Sequence, residues 1–551
     1  MQKKIKRMWK ALWKSRMIRH GLILLPGLFA LIGYYQYYNG DLLFTLFSSI
    51  KVYAGSFDAT FGNLVVPEAM HMRVCLEIAR WGGLCVTGTF LFGFFKEWFE
   101  KADVVRKTRD AGIIAVHGST HYKNLLQEEF GKAAIVKDFP EKFKARRHIL
   151  AFETDHELLQ YLNAHFSEFP CFAESGSHKA LSQVYLCLHS AAHTKYSSAG
   201  FMINNMSEDC ARLYWKQNYI RRYGEKTERR IVLIGFGHYG QALLSQALLV
   251  NVFAQQTPGM EYHVFGDSGL YRQLHRGIEH FASVNAADET GDSVIFHEEG
   301  WQENMKLLSA ADRIILCDDT DEVNIHLLGL LTGEVGGVPI HIRCRDIRML
   351  KALYSEQKIE ENDQSDGLCV FGTDRMLYTH ELILDEALME TAKMMHARYL
   401  HHGNLVRCVS CHDTVRLKTC VKCCRYFEED WNQLGVFLQR SNICAADHLD
   451  VKLREVLQRD CEIEKETIKA YALVLENCLN RGAIDRYLEL EHRRWMRFHF
   501  FWGWEYADIP KKDKENKKHP LLLPYDQLSD AQKSKDMDAY MVLTELYDCR
   551  A

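Results

Sequence analysis

The most constraining stretch is residues 231–234 (IVLI), an unbroken apolar run followed at once by Gly235-Phe236-Gly237-His238-Tyr239-Gly240 and a helical pattern over 241–253. Strand, G-x-G-x-x-G and helix in that order predict a parallel sheet with crossover helices. In such a unit Gly235 permits the tight turn, Gly237 lets a pyrophosphate approach the backbone, and Gly240 packs helix on strand. The phosphates would sit at the positive N-terminus of the helix. The next strand, 262–265, ends at Asp267, 27 residues past Gly240, where a carboxylate can accept from ribose hydroxyls. Further strands are expected at 294–296, 313–317, 340–342 and 369–371. These residues allow a nucleotide, NAD- or ATP-like, and they also allow a sheet whose glycines serve only the turn.

Residues 110–225 read as an earlier, degenerate copy. Strands are expected at 113–116, 133–136, 148–152 and 184–188, but His117-Gly118-Ser119 keeps one glycine where three would be needed. Phosphate binding is not expected there; dimerisation or transmission of force is.

The net charge of −4 is the sum of unlike parts. Residues 1–20 hold eight Lys and Arg and no acid, so the remainder carries −12. The near balance excludes a nucleic-acid binder that works by bulk charge. After the basic leader, residues 21–38 are uncharged and close on a Tyr cluster, which suits a retained bilayer span better than a cleaved signal peptide. A second uncharged run, 81–95, is bracketed by Arg80 and Lys96, and its Gly82, Gly83 and Gly88 suit close helix packing. Basic flanks place both ends of this two-helix membrane hairpin in the cytoplasm. The alternative for the second run is a buried helix of a soluble domain. The apolar connection 42–66 could re-enter the membrane, although Thr60-Phe61-Gly62-Asn63 is at most a faint echo of a potassium filter.

Seventeen cysteines in 551 residues suit reduced thiols, and five crowd into 408–424. Cys408-x-x-Cys411 and Cys420-x-x-Cys423 have the spacing of a closed structural zinc knuckle, with a loop of free thiols as the alternative. Farther on, Glu491, Arg494, Trp495 and Phe498 fall on one face of a helix, which serves equally for a core edge or a pocket that stacks a base.

Two resemblances follow. Residues 313–324 (RIILCDDTDEVN) with 340–346 (IHIRCRD) resemble the TrkA-N or RCK type of Rossmann domain, which gates potassium channels and transporters on binding nucleotides or ions. The resemblance implies that Asp318, Asp319, Asp321 and Asn324 form the acidic cluster after the fourth strand, and that the domains work in pairs. Glu491-His492-Arg493-Arg494-Trp495, then Gly503-Trp504, then His519-Pro520-x-x-Leu523-Pro524-Tyr525, are similar to the RyR domain. That resemblance implies a nucleotide-like ligand in a pocket lined by Glu491, His492, Arg494, Trp495 and Trp504.

The expected organisation is therefore α/β: a membrane region (1–109), a degenerate Rossmann-like unit (110–225), a TrkA-N-like unit (226–384), and a helical region (385–551) with a zinc knuckle (408–424) and an RyR-like domain (about 485–545). The expected function is a ligand-gated, ion-channel-like sensor or effector in a bacterial inner membrane, working as a homodimer or homotetramer. No catalytic constellation is recognisable. A membrane-tethered NAD(P)-dependent oxidoreductase and a non-conducting scaffold are the alternatives.

Overall fold

The structure, a computed structural model, describes residues 16–56, 58, 70–107, 113–135, 145, 147–166, 169, 183–190, 201–224, 227–254, 259–278, 291–354, 368–401, 405–407, 414–416, 431, 434–481, 483–537 and 539–540. The chain divides into two compact units, residues 1–110 and 111–551.

In the first unit α1 (Arg16–Tyr37) packs on α3 (Met70–Lys107), with the short α2 (Leu42–Lys51) between them in sequence. Small residues set the approach. A Cβ on Gly33 would lie 2.6 Å from Leu76 Cγ, and one on Gly83 would lie 2.7 Å from the Val52 carbonyl, as expected where helices meet through glycine. At Pro26 the Tyr53 hydroxyl accepts from Gly27 N–H (2.8 Å) and donates to the Ile23 carbonyl (2.6 Å). It thus stands inside a rung of the α1 ladder.

α2 is capped by Asp41, whose carboxylate accepts from Leu43 and Phe44 N–H. Its amphipathicity is inverted: Thr45 and Ser48 are 1 % exposed, while Leu43 is 81 % and Ile50 69 % exposed. The inward hydroxyls are satisfied. Ser48 donates to Asp58 (2.8 Å), which also pairs with Lys51 (3.2 Å) and donates its N–H to Tyr34 Oη (3.2 Å).

The expected bilayer spans need correction. Among the described residues no helix is long and apolar enough to cross a membrane. In α1 the apolar run ends in Tyr34, Tyr35, Gln36 and Tyr37; in α3 Arg73, Glu77 and Arg80 precede the fifteen uncharged residues, and Lys96 and Glu97 follow them.

The second unit holds two all-parallel sheets. The first contains β1 (Ile114–Gly118), β2 (Ala134–Ile135), β3 (Arg147–Ala151), β4 (Gln183–Leu188) and β5 (Phe201–Asn205) in the order β2-β1-β3-β4-β5. Helices α4 (Thr120–Phe130), α5 (Asp155–His165) and α6 (Met206–Gln217) accompany it. The second contains β6 (Arg230–Ile234), β7 (Glu261–Phe265), β8 (Ser293–His297), β9 (Arg313–Leu316), β10 (Ile340–Arg343) and β11 (Leu368–Phe371) in the order β11-β10-β9-β6-β7-β8. These are the two common doubly wound orders, the second being the dinucleotide-binding one, with its switch point between β6 and β9.

One core joins both sheets. α6 follows the first sheet in sequence but packs on the second: Trp215 Nε1 donates to the Leu243 carbonyl (2.9 Å), and Tyr214 Oη bonds His341 Nδ1 (3.0 Å). Its partner is α7 (His238–Val250), and α8 (Asp321–Leu331) follows β9 on the other face.

The helical run over residues 436–457 is broken. It forms α9 (Val436–Asp447) and α10 (Leu449–Leu457), because His448 is buried at the joint and bonds the Val252 carbonyl (2.8 Å). The chain closes with α11 (Lys465–Asn480), α12 (Asp485–Phe501) and a two-strand parallel pair, Glu505–Tyr506 with Lys518–His519. Gly277 meets the end of α12 so closely that a Cβ there would lie 1.8 Å from the Phe500 carbonyl oxygen.

Candidate nucleotide site

Each glycine of the fingerprint has the geometry its place requires. Gly235 sits at φ +92, and a Cβ there would come 2.5 Å from Asp318 N. A Cβ on Gly240 would come 2.4 Å from the Gly235 carbonyl oxygen, so α7 can close on β6 only without one. Gly235→Ala is therefore expected to cost about 1–3 kcal/mol, read as a lower denaturation midpoint, with faster amide exchange confined to residues 235–240. Exchange spread evenly over the sheet would refute it.

The seat between Gly237 and α7 is filled from within. The Asp319 carboxylate accepts from His238 N–H (3.1 Å) and Tyr239 N–H (3.2 Å), the amides that would otherwise face a pyrophosphate. A Cβ on Gly237 would collide with that carboxylate at 2.3 Å. The other members of the acidic cluster serve the turn. Asp318 Oδ1 accepts from Thr320 N–H and Oγ1 (3.0 Å each), and Asn324 bridges Asp318 N–H, the Asp318 carbonyl and the Arg343 carbonyl. Asp321 accepts from Arg345 N–H (2.9 Å) and pairs with the buried Arg343 (3.3 Å). Arg343 stacks on the Tyr239 ring at 4.0 Å. Asp318, a candidate ligand-binding residue of the acidic cluster, forms the turn through Oδ1. Asp267 is exposed just past β7 and accepts from Gly269 N–H through Oδ1 (3.0 Å).

The glycine-rich turn faces the carboxyl edge of the first sheet, where Tyr239 Oη approaches His189 Nδ1 at 3.5 Å. Arg345 bridges the two lobes, reaching Glu153 (2.7 Å) and Tyr122 Oη (2.7 Å), while His121 bonds Asp374 at 2.7 Å. The Asp374 hydrogen bond raises the His121 pKa. Burial works to raise that of Glu153, but Arg345 outweighs it and holds the carboxyl low. Sequence reasoning missed this bridge, because its members lie some 190 to 250 residues apart and the 340–346 stretch that holds Arg345 does not name the partners of its side chain.

The residues expected to line an RyR-type pocket fall into two groups, the pair Glu491 and Arg494 and the aromatic set of His492, Trp495 and Trp504 around His519. Glu491 and Arg494 are buried and pair bidentately (2.7 and 3.0 Å), with Lys452 Nζ 2.6 Å from the same carboxylate. Their charges are met inside the protein, which corrects the expected pocket to a buried ion cluster. His492 bonds the Leu523 carbonyl (2.8 Å). Trp495 and Trp504 converge on His519, at 5.0 and 6.1 Å between ring centres, and Trp504 is buried.

Cys408, Cys411, Cys420 and Cys423 lie outside the described residues. The backbone on either side of 408–413 pairs as an antiparallel hairpin, with Arg407 opposite Thr414. Among the described residues no cluster of His, Cys, Asp or Glu could hold a metal ion.

No protein-family profile matches the chain, and no curated protein does. Among solved structures, GsuK bound to ADP aligns at 13% identity and TM-score 0.31, over 70% of this chain and 100% of its own. A GsuK channel structure gives 11% and 0.32, over 73% and 92%. Shikimate dehydrogenase from Mycobacterium tuberculosis gives 11% and 0.25, over 48% and 89%. The Rossmann character of the second sheet stands on its strand order and its glycine geometry.

Proposed function

We propose that this protein is a membrane-embedded sensor or effector of the ion-channel type, whose cytosolic Rossmann-like lobes respond to a nucleotide. The observation that carries the membrane part is the inverted polarity of α2, with hydroxyls inside and leucine, phenylalanine and isoleucine outside. The outward faces of α1 and α3 continue it through Leu24, Leu28, Ile32, Trp81 and Leu91. A unit that turns the hydroxyls of α2 inward, beside a core of Ala30, Tyr34, Val52, Met72, Leu76 and Ala79, and its large apolar side chains outward suits surroundings of hydrocarbon. In this reading the unit sits in the bilayer as an assembled bundle, completed by copies of itself around a shared axis. We place it in a bacterial inner membrane with both termini cytoplasmic.

The nucleotide part rests on the complete glycine triad, the exposed Asp267 and the switch point between β6 and β9. The strand order also suits a tethered NAD(P)-dependent oxidoreductase, which is the second reading. A structural zinc on the four cysteines and an RyR-like role for the C-terminal helices belong to the same proposal. Loss of zinc content in Cys408→Ser/Cys420→Ser is expected, and unchanged content would remove the metal.

The deciding experiment is flux through liposomes holding the full chain, with ADP or NAD⁺ added on the cytosolic side. Nucleotide-dependent flux is expected. Flux indifferent to both, or a protein extracted from membranes by carbonate, would overturn the channel reading; NAD(P)H turnover lost on Gly237→Asp would establish the enzyme instead.

A further inference from the structure

We propose that Asp319 is a resident competitor for the anion seat of the glycine-rich turn, so that a nucleotide binds only by displacing it. The proposal rests on the nucleotide reading above and adds its regulation. Three observations carry it.

The carboxylate makes the two bonds a phosphate would make, to His238 and Tyr239 N–H at 3.1 and 3.2 Å. It lies over Gly237, in the space that a missing Cβ leaves open, so ligand and carboxylate cannot share the seat. Its backbone is anchored independently. Arg343 Nη1 donates to the Asp319 carbonyl (2.9 Å), and Arg343 is itself held by Tyr239 and Asp321. A side-chain rotation therefore suffices to vacate the seat without moving β9 or α8, and the side chain is only half-buried. The neighbouring Asp318 turns its Oδ1 to Thr320 instead of to the helix amides.

A negatively charged group on helix-terminal amides is stabilised by the dipole as well as by the bonds. A phosphate must replace both and also lie beside the displaced carboxylate. The apo state is thereby self-occluded, and affinity is set by the difference between two anions for one seat.

The test is titration of the full chain and of Asp319→Asn and Asp319→Ala with ADP and with NAD⁺ by calorimetry, together with amide exchange at His238 and Tyr239. Both variants should bind at least one of the two nucleotides about tenfold or more tightly than the unmodified chain. In Asp319→Ala the two amides should exchange faster without ligand and become protected when ADP or NAD⁺ binds. Equal affinities within about twofold, with the two amides protected alike in all three chains, would overturn the competitor while leaving the nucleotide site standing. No binding by any of the three, with intact far-ultraviolet circular dichroism, would remove the site and the competitor together.

Discussion

Replacing Glu491 with alanine is expected to destabilise the C-terminal helical region by about 3–5 kcal/mol, because it leaves Lys452 and Arg494 buried without their shared counter-ion. Lys452 is 0 % exposed and Arg494 2 %, so water cannot replace the carboxylate. The double change Glu491→Leu/Lys452→Met should recover part of the loss, since an apolar replacement of a buried pair is often neutral. The pH dependence has a definite sign. Burial raises the pKa of Glu491, but Arg494 and Lys452 overcome it and hold the carboxyl down to about 2. A depressed acid contributes stability above its unfolded pKa near 4.5 and loses it as pH falls toward about 2. The gap between the natural chain and the variant should therefore be widest at neutral pH and close through that acid window. Asp536 runs the other way. Burial first, then the nearby Glu491 charge, push its carboxyl up to about 8. Its stabilising contribution is complete below pH about 3.8 and fades as pH rises to about 8, so Asp536→Asn should flatten the alkaline side. Denaturant unfolding followed by tryptophan fluorescence would check both, and a Glu491→Ala chain within about 1 kcal/mol of the natural one would refute the ion cluster.

The second large effect is expected at Arg497→Met, which should cost about 3 kcal/mol or more by leaving the Asp292 charge buried. Arg497 reaches across from α12 to Asp292 (2.7 Å), both side chains are at most 5 % exposed, and Asp292 also accepts from Met260 N–H ahead of β7. This pair and the Gly277 approach to Phe500 dock the C-terminal helices on the rim of the second sheet. Hydrogen exchange should show β7, β8 and α12 loosening together in the variant. If α12 alone loosens, the pair does not couple the two regions.

The second sheet was legible strand by strand, since fully buried parallel strands are short continuous apolar runs bounded by turns. All six appear within one or two residues of where their β-branched runs place them. The first sheet was less so. Its fifth strand, Phe201–Asn205, reads FMINN, and its two asparagines hide it from a hydrophobicity pattern. The helix break at His448 was equally hidden, because it answers to a carbonyl at Val252, 196 residues away.

Glycine spacing and apolar runs are local, and the chain's own order was enough to establish the doubly wound class, the turn at Gly235 and the close packing at Gly240. The same order announced an acidic cluster after β9 but not which acid would do what. That choice depends on bringing residues 318–324 against residues 235–240, some 80 positions apart, and the approach puts Asp319 on the helix amides while Asp318 caps the turn at Thr320 and Asp321 turns inward. Burial made the corresponding choice in α12: an acid and an arginine three residues apart could face solvent, a ligand or each other. Lys452 arriving from α10 removes the first two possibilities, because two buried cations in a medium of low dielectric must hold their one carboxylate.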